Sequence, residues 1–146
     1  MTTLAYPPQT GLFRTSIGLA LGWNIFGCIQ CIATVSADPA ALMARGMSSS
    51  QAALYTGLPL WMHLAFVAAV FAGTAGCALL LLKRRAALPL LALSLAGYVA
   101  LTAGDTLLGI FAAFGLPQII IVGGSTLVAA GALAAAFFTG RSNRLA

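Results

Sequence analysis

Acidic residues are almost missing from this chain. Asp38 and Asp105 are its only carboxylates in 146 residues. Histidine occurs once, as His63, and cysteine only as Cys28, Cys31 and Cys77. Each shortage excludes a class of chemistry. A zinc site gathers three or four His, Cys or carboxylate ligands, and these residues are too few and too scattered. A haem spanning a membrane usually takes paired histidines. No cluster of acids and bases exists for proton transfer. No phosphate loop, nucleophile elbow or zinc-protease motif occurs. The expectation is therefore a protein that is not an enzyme, with no cofactor and no metal.

Charge of either sign is scarce as well. Charged residues make up 6% and apolar residues 61%, whereas a soluble domain carries about a quarter charged residues. Such a chain cannot cover a water-facing surface, and its mean hydropathy of +1.03 agrees. The net charge of +5 does not imply a nucleic-acid partner, because the bases mark the ends of apolar runs and read as topology signals. The first run is too long for a signal-peptide core and no small-residue cleavage site follows a short core, so it is read as a span.

What is present is four apolar runs, at about 13–36, 59–82, 86–108 and 117–139. Each meets the roughly 20 residues needed to cross about 30 Å of hydrocarbon. The fold class expected is all-α integral membrane: a single four-helix bundle in contact with the lipid bilayer. LLLLKRRAALPL joins runs two and three so tightly that they must be antiparallel neighbours. Gly115 and Pro117 break the chain before run four. The first loop predicts two short helices near the membrane surface. Asp38 offers an N-cap, Pro39 a first helical position and Gly46 a stop. Ser48 and Gln51 fit a capping box, with Gly57 ending the turn.

Counting bases orients the bundle. Arg14, Lys83, Arg84, Arg85, Arg141 and Arg144 fall on the side of the chain ends, and only Arg45 on the other. The positive-inside rule then predicts cytoplasmic termini and a first loop that faces the periplasm or cell exterior. Small residues recur at packing distances: Gly18 and Gly22, Gly73 and Gly76, and Gly124, Gly131 and Ala135. Packing within the bundle is the first reading of them, and a homodimer through these faces the second.

A few polar residues stand inside the spans. Cys28 and Cys31 share a helical face, but Cys77 lies toward the opposite end of its span, so no second pair exists for a thiol relay. They read as small apolar filler. Asn24 is about halfway across its span, and an amide at that depth calls for a partner on another helix. Trp23 is also far from the interfacial belt, which favours packing or stacking on a ligand. Tyr55 and Trp61 suit the belt itself. His63 lies about a turn inside the outer end of span two. Asp105 lies at a similar level on span three, about 30 Å of helix rise from Ala86 at about 1.5 Å per residue. Gln30, Thr34, Thr102 and Thr106 match that depth. An ionisable residue in a span is a functional candidate by default. His63, Asp105, Gln30, Thr102 and Asn24 are therefore the candidate binding residues of a polar vestibule, with Asp105 as a helix cap or headgroup-facing residue the alternative.

The order of these features resembles a family of small bacterial four-helix inner-membrane proteins often labelled "sugar transporter". The resemblance rests on WNIFG at 23–27, the Met-bearing ADPAALMARGM loop, QAALY at 51–55, PLW at 59–61, GTAG at 73–76 and the LLLLKRRAALP hairpin. It covers roughly residues 22–97. It implies movement of a small polar solute, or service as accessory to a transporter, with no family site residues to carry over. The alternative is a non-catalytic protein of membrane packing, assembly or lipid interaction. No particular small-molecule ligand is indicated.

Overall fold

The computed structural model describes residues 11–141, so Arg144 lies outside the described residues. The chain is all helical there: α1 (Gly11–Val35), α2 (Pro39–Ala44), α3 (Ser49–Thr56), α4 (Leu60–Leu81), α5 (Ala87–Leu107), α6 (Ile110–Phe114) and α7 (Leu116–Arg141). α1, α4, α5 and α7 are long and apolar enough to cross a membrane. This is a multi-pass, four-helix membrane bundle.

Local chemistry sets the joints. Asp38 Oδ1 accepts the Ala41 amide at 2.7 Å and caps α2, with Pro39 following it. The capping box of α3 is complete: Gln51 N donates to Ser48 Oγ at 3.2 Å, and Ser48 N donates to Gln51 Oε1 at 3.0 Å. Both short helices were expected. α6 was not. The chain does not run from span three through one plain turn into span four. Gly109 adopts φ +74° and Gly115 φ +67°, left-handed values that cost a glycine little. Between them IFAAF forms one helical turn.

The five-residue step from α4 to α5 is a tight helical hairpin. Arg84 N donates to Leu79 O at 2.8 Å and Lys83 N to Leu80 O at 3.1 Å, the paired bonds that terminate a helix with a left-handed residue. That residue is Lys83, at φ +58°.

α4 and α5 form the spine, with α1 laid on α4 and α7 on α5. The spine is close because Gly97 has no side chain. A Cβ there would stand 2.8 Å from the Ala65 carbonyl oxygen and 2.8 Å from the Ala69 nitrogen, both backbone atoms. In lipid, where apolar burial gives helices little reason to associate, such contact is a main source of cohesion. Gly73 and Gly76 also pack inside, against Asn24 and Leu91. Gly18, Gly22, Gly124 and Gly131 do not: a Cβ at any of them would meet nothing within 4 Å. The expectation of internal packing holds for span two and for Ala135 of span four, which packs on the hairpin-half core, and fails for Gly18, Gly22, Gly124 and Gly131. Those glycines face away from the bundle.

The core falls into two clusters along the membrane normal. In the hairpin half, Ile17 and Ala20 of α1 meet Cys77, Leu80, Leu91, Ala132 and Ala136. In the loop half, Cys31, Met62, Val70, Tyr98, Leu101 and Val122 form the second cluster. α1 and α7 converge in the first half and part in the second.

Candidate functional site

A cavity of about 410 Å³ fills the space where α1 and α7 part. Each span lines it with a stripe of helical period. Trp23, Gly27, Gln30 and Thr34 come from α1, and His63, Phe66 and Val70 from α4. Tyr98, Leu101 and Asp105 come from α5, and Gln118, Val122 and Ser125 from α7. Steps of three and four residues keep each set on one helix face.

The floor is a polar layer near mid-membrane. Trp23 Nε1 donates to Ser125 Oγ at 2.9 Å, tying α1 to α7 across the cleft. Ser125 Oγ in turn donates to Ile121 O at 2.7 Å. Behind the floor, Tyr98 OH donates to Asn24 Oδ1 at 3.3 Å, and Asn24 Nδ2 donates to Ala20 O at 2.8 Å. Asn24 is buried at 3% exposure, and its amide oxygen occupies the space a Gly73 side chain would need. Ser94 Oγ, next to it, donates to Ala69 O at 2.6 Å. An amide buried in lipid needs its hydrogen bonds met inside the protein, and these residues do so.

The roof comes from the short helices. Tyr55 of α3 meets Phe114 of α6 edge to face at 5.8 Å between centroids. Gln51 Nε2 donates to Ala113 O at 2.8 Å. Arg45 Nη1 donates to Ala33 O at 2.9 Å, placing a cation on the carbonyl end of α1. Burial first, then the nearby Asp105 charge and Cys31, push the Tyr55 phenol up to about 12. It therefore stays a neutral wall at physiological pH.

Asp105 is the cavity's acid. It is 3% exposed, and its Oδ2 accepts from Gln118 Nε2 at 2.8 Å. His63 and Gln30 line the same space. His63 makes no direct hydrogen bond or ion pair with Asp105. Thr102 is not on the cavity. Its hydroxyl donates to Tyr98 O at 2.9 Å and lies 3.3 Å from Thr126 Oγ1, in the seam between α5 and α7. Asn24 stands behind Tyr98, one shell away from the space. Asp105 is not a headgroup-facing cap either, being buried and bonded to α7. Tyr98, Gln118 and Ser125 were missed. For Gln118, an amide in the first turn of a span was the visible signal.

The thiols are free. Cys28 Sγ lies 3.3 Å from Thr74 Oγ1, Cys31 is buried in the loop-half core, and Cys77 belongs to the other cluster. Among the described residues no three His, Cys, Asp or Glu side chains gather as metal ligands. In comparison with known proteins, no family model matches the chain, and no curated protein or solved structure matches it.

Proposed function

We propose that this protein binds a small solute in the loop-half cavity as part of a transport function in the bacterial inner membrane, with both chain ends cytoplasmic and the cavity accessible from outside. One observation carries the reading: the bundle is hollow in one half, where a few polar groups stand in an aromatic and apolar lining, and packed solid in the other. About 410 Å³ is within the range of small-molecule sites, roughly 300–1,000 Å³. The hairpin half has Ile17, Ala20, Leu80 and Ala136 where a path would have to run. A cavity toward one side and a packed plug on the other fit one state of an alternating carrier. The family resemblance of residues 22–97 and the excess of bases at the hairpin end support the same reading.

Four spans are few for a carrier, so the working unit needs a second copy or another membrane protein. Gly18 and Gly22, open on the outer face of α1, favour the accessory or homodimer form of the proposal.

The test is sided accessibility. Gln30→Cys and Thr34→Cys, in a chain with Cys28, Cys31 and Cys77 replaced by Ala, are expected to react with a membrane-impermeant maleimide added to intact spheroplasts. Ile17→Cys and Ala132→Cys are expected to stay unlabelled. Labelling of Gln30→Cys only in inverted vesicles would reverse the orientation. Labelling of Gln30→Cys and Thr34→Cys from neither side would remove the cavity from function.

A further inference from the structure

We propose that the cavity selects a monovalent organic cation with an apolar or aromatic body, such as a quaternary ammonium compound; this rests on the reading of the cavity as a solute site. Three features of the lining argue for it together. First, the Asp105 carboxylate is nearly sealed from solvent yet lines the space. Only its Oδ2 has a hydrogen bond, from Gln118, and among the described residues it has no ion pair. A carboxylate buried without a positive partner is strongly disfavoured. Either a proton or a bound cation supplies the charge, and the adjoining space is far larger than a proton needs. Second, among the described residues no lysine or arginine lines the cavity. The chain is basic overall, so this is a local exclusion: Arg45, the one lysine or arginine at this end, is turned to the Ala33 carbonyl instead. An anionic solute would meet Asp105 with His63 the one nitrogen base on the lining, and with no lysine or arginine to bind it. Third, Trp23, Phe26, Tyr55, Phe66, Tyr98 and Phe114 furnish the walls. Aromatic faces attract a cation held within about 6 Å of the ring, and they accept an apolar body where a polyol would leave hydroxyls unpaired. The neutral Tyr55 phenol adds no second negative charge.

The chemistry divides the work. Asp105 supplies the charge partner, with Gln118 fixing the position of one oxygen and leaving the other toward the solute. Trp23 and Tyr55 are offered as stacking walls at the floor and roof. Gln30 and His63 provide the few polar contacts on the remaining sides.

The experiment uses the full chain in lipid nanodiscs with Trp61→Phe, which leaves Trp23 as the only indole. Its fluorescence is titrated with benzyltrimethylammonium, phenylmethanesulfonate and methyl glucoside. The expected result is saturable binding of the ammonium compound, with the other two at least about tenfold weaker. Asp105→Asn, which keeps an acceptor for Gln118, is expected to weaken the ammonium compound by about tenfold or more. Saturable binding of the sulfonate or glucoside at equal or higher affinity overturns the cation assignment and leaves the cavity reading standing. So does unchanged ammonium binding in folded Asp105→Asn. Absence of saturable binding by all three overturns the cavity reading itself. Should Asp105→Asn fail to fold, the comparison of charge sign on the Asp105-containing chain decides alone.

Discussion

The two halves of this bundle are made from the same four helices and have opposite interiors. In the hairpin half, alanines and leucines from α1, α4, α5 and α7 close on one another. In the loop half, α1 and α7 separate, and larger residues line a space instead of filling it. The switch occurs within one turn of α1. Ala20 is in the sealed cluster, Asn24 is bonded behind the floor, and Trp23 is on the cavity. Residue size explains much of it. Where α1 and α7 offer Ala20, Ala132 and Ala136, the backbones can converge. Where they offer Trp23, Phe26, Gln30 and Gln118, they cannot. The hollow is thus a consequence of bulky residues facing one another without interdigitating, and the polar floor marks the boundary.

The comparison is broken most severely by making the same enlargement in both halves. Ala136 is fully buried among residues of α1, α4 and α5, so Ala136→Leu has to displace a neighbouring helix. Overpacking of this kind costs about 3 kcal/mol at its upper range. Thr34→Leu places similar bulk against the cavity and is expected to cost less than about 1 kcal/mol. Thermal unfolding of the two variants in one detergent checks the difference. Equal losses would mean that the cavity is not open space in the folded protein.

Next in size is the boundary itself. Asn24→Leu removes the acceptor of the Tyr98 hydroxyl and puts a branched carbon where Gly73 and Ser94 leave room only for an amide. The lost interhelical bond is worth about 1 kcal/mol, and the poorer fit adds to it. The expected outcome is a lower unfolding temperature together with altered Trp23 emission, since the floor is shared. A shift in stability with unchanged emission would show that floor and packing are independent.

Much of this architecture was legible in the sequence, and the reason is physical. The bilayer demands long apolar helices, so the spans announce themselves by length. Asp38-Pro39 and Ser48…Gln51 are local devices whose geometry follows from a few residues. What failed depended on rotation and on tertiary approach. Asp105 has Thr102 three residues before it and Leu101 four before it, and both spacings suit a shared face. Packing against α7 placed Leu101 and Tyr98 on the cavity and Thr102 in the seam. Nothing local distinguishes them. His63 and Asp105 were matched in depth correctly enough to line one space, but depth says nothing of the distance across it. Gln118 came into play only because α6 turns the start of α7 inward, and α6 depends on the backbone angles of Gly109 and Gly115. The outward glycines of α1 and α7 failed for a related reason: a small-residue pattern states that a close neighbour is suited, not which one.

The roof sharpens the comparison at lower cost. Gln51 serves both the capping box of α3 and the Ala113 carbonyl of α6. Gln51→Ala is expected to cost about 1 kcal/mol. Its clearest effect is faster amide exchange in α3 and α6, with the hairpin half unchanged. Gln51→Glu keeps the capping acceptor and loses the donor to Ala113, so it should loosen α6 while sparing the start of α3. Uniform acceleration over the whole chain would instead assign the roof a global structural role.

The smallest expected effect lies at the opposite end, in the KRR hairpin. Lys83 holds a left-handed backbone, φ +58°, which costs an L-residue roughly 1–2 kcal/mol relative to the right-handed form. Glycine adopts that conformation without the Cβ clash but loses more freedom on folding. The two effects partly cancel, so Lys83→Gly is expected to stabilise the hairpin by about 0.5 kcal/mol. Lys83→Ala keeps the Cβ while removing the charge, and is expected to leave stability unchanged in detergent. The pair therefore separates backbone strain from electrostatics. Binding in the loop-half cavity is expected to be the same in both variants, because the packed hairpin half lies between them and the site. A gain in stability for both substitutions would mean that repulsion from Arg84 and Arg85, and not the backbone angle, is what destabilises this turn.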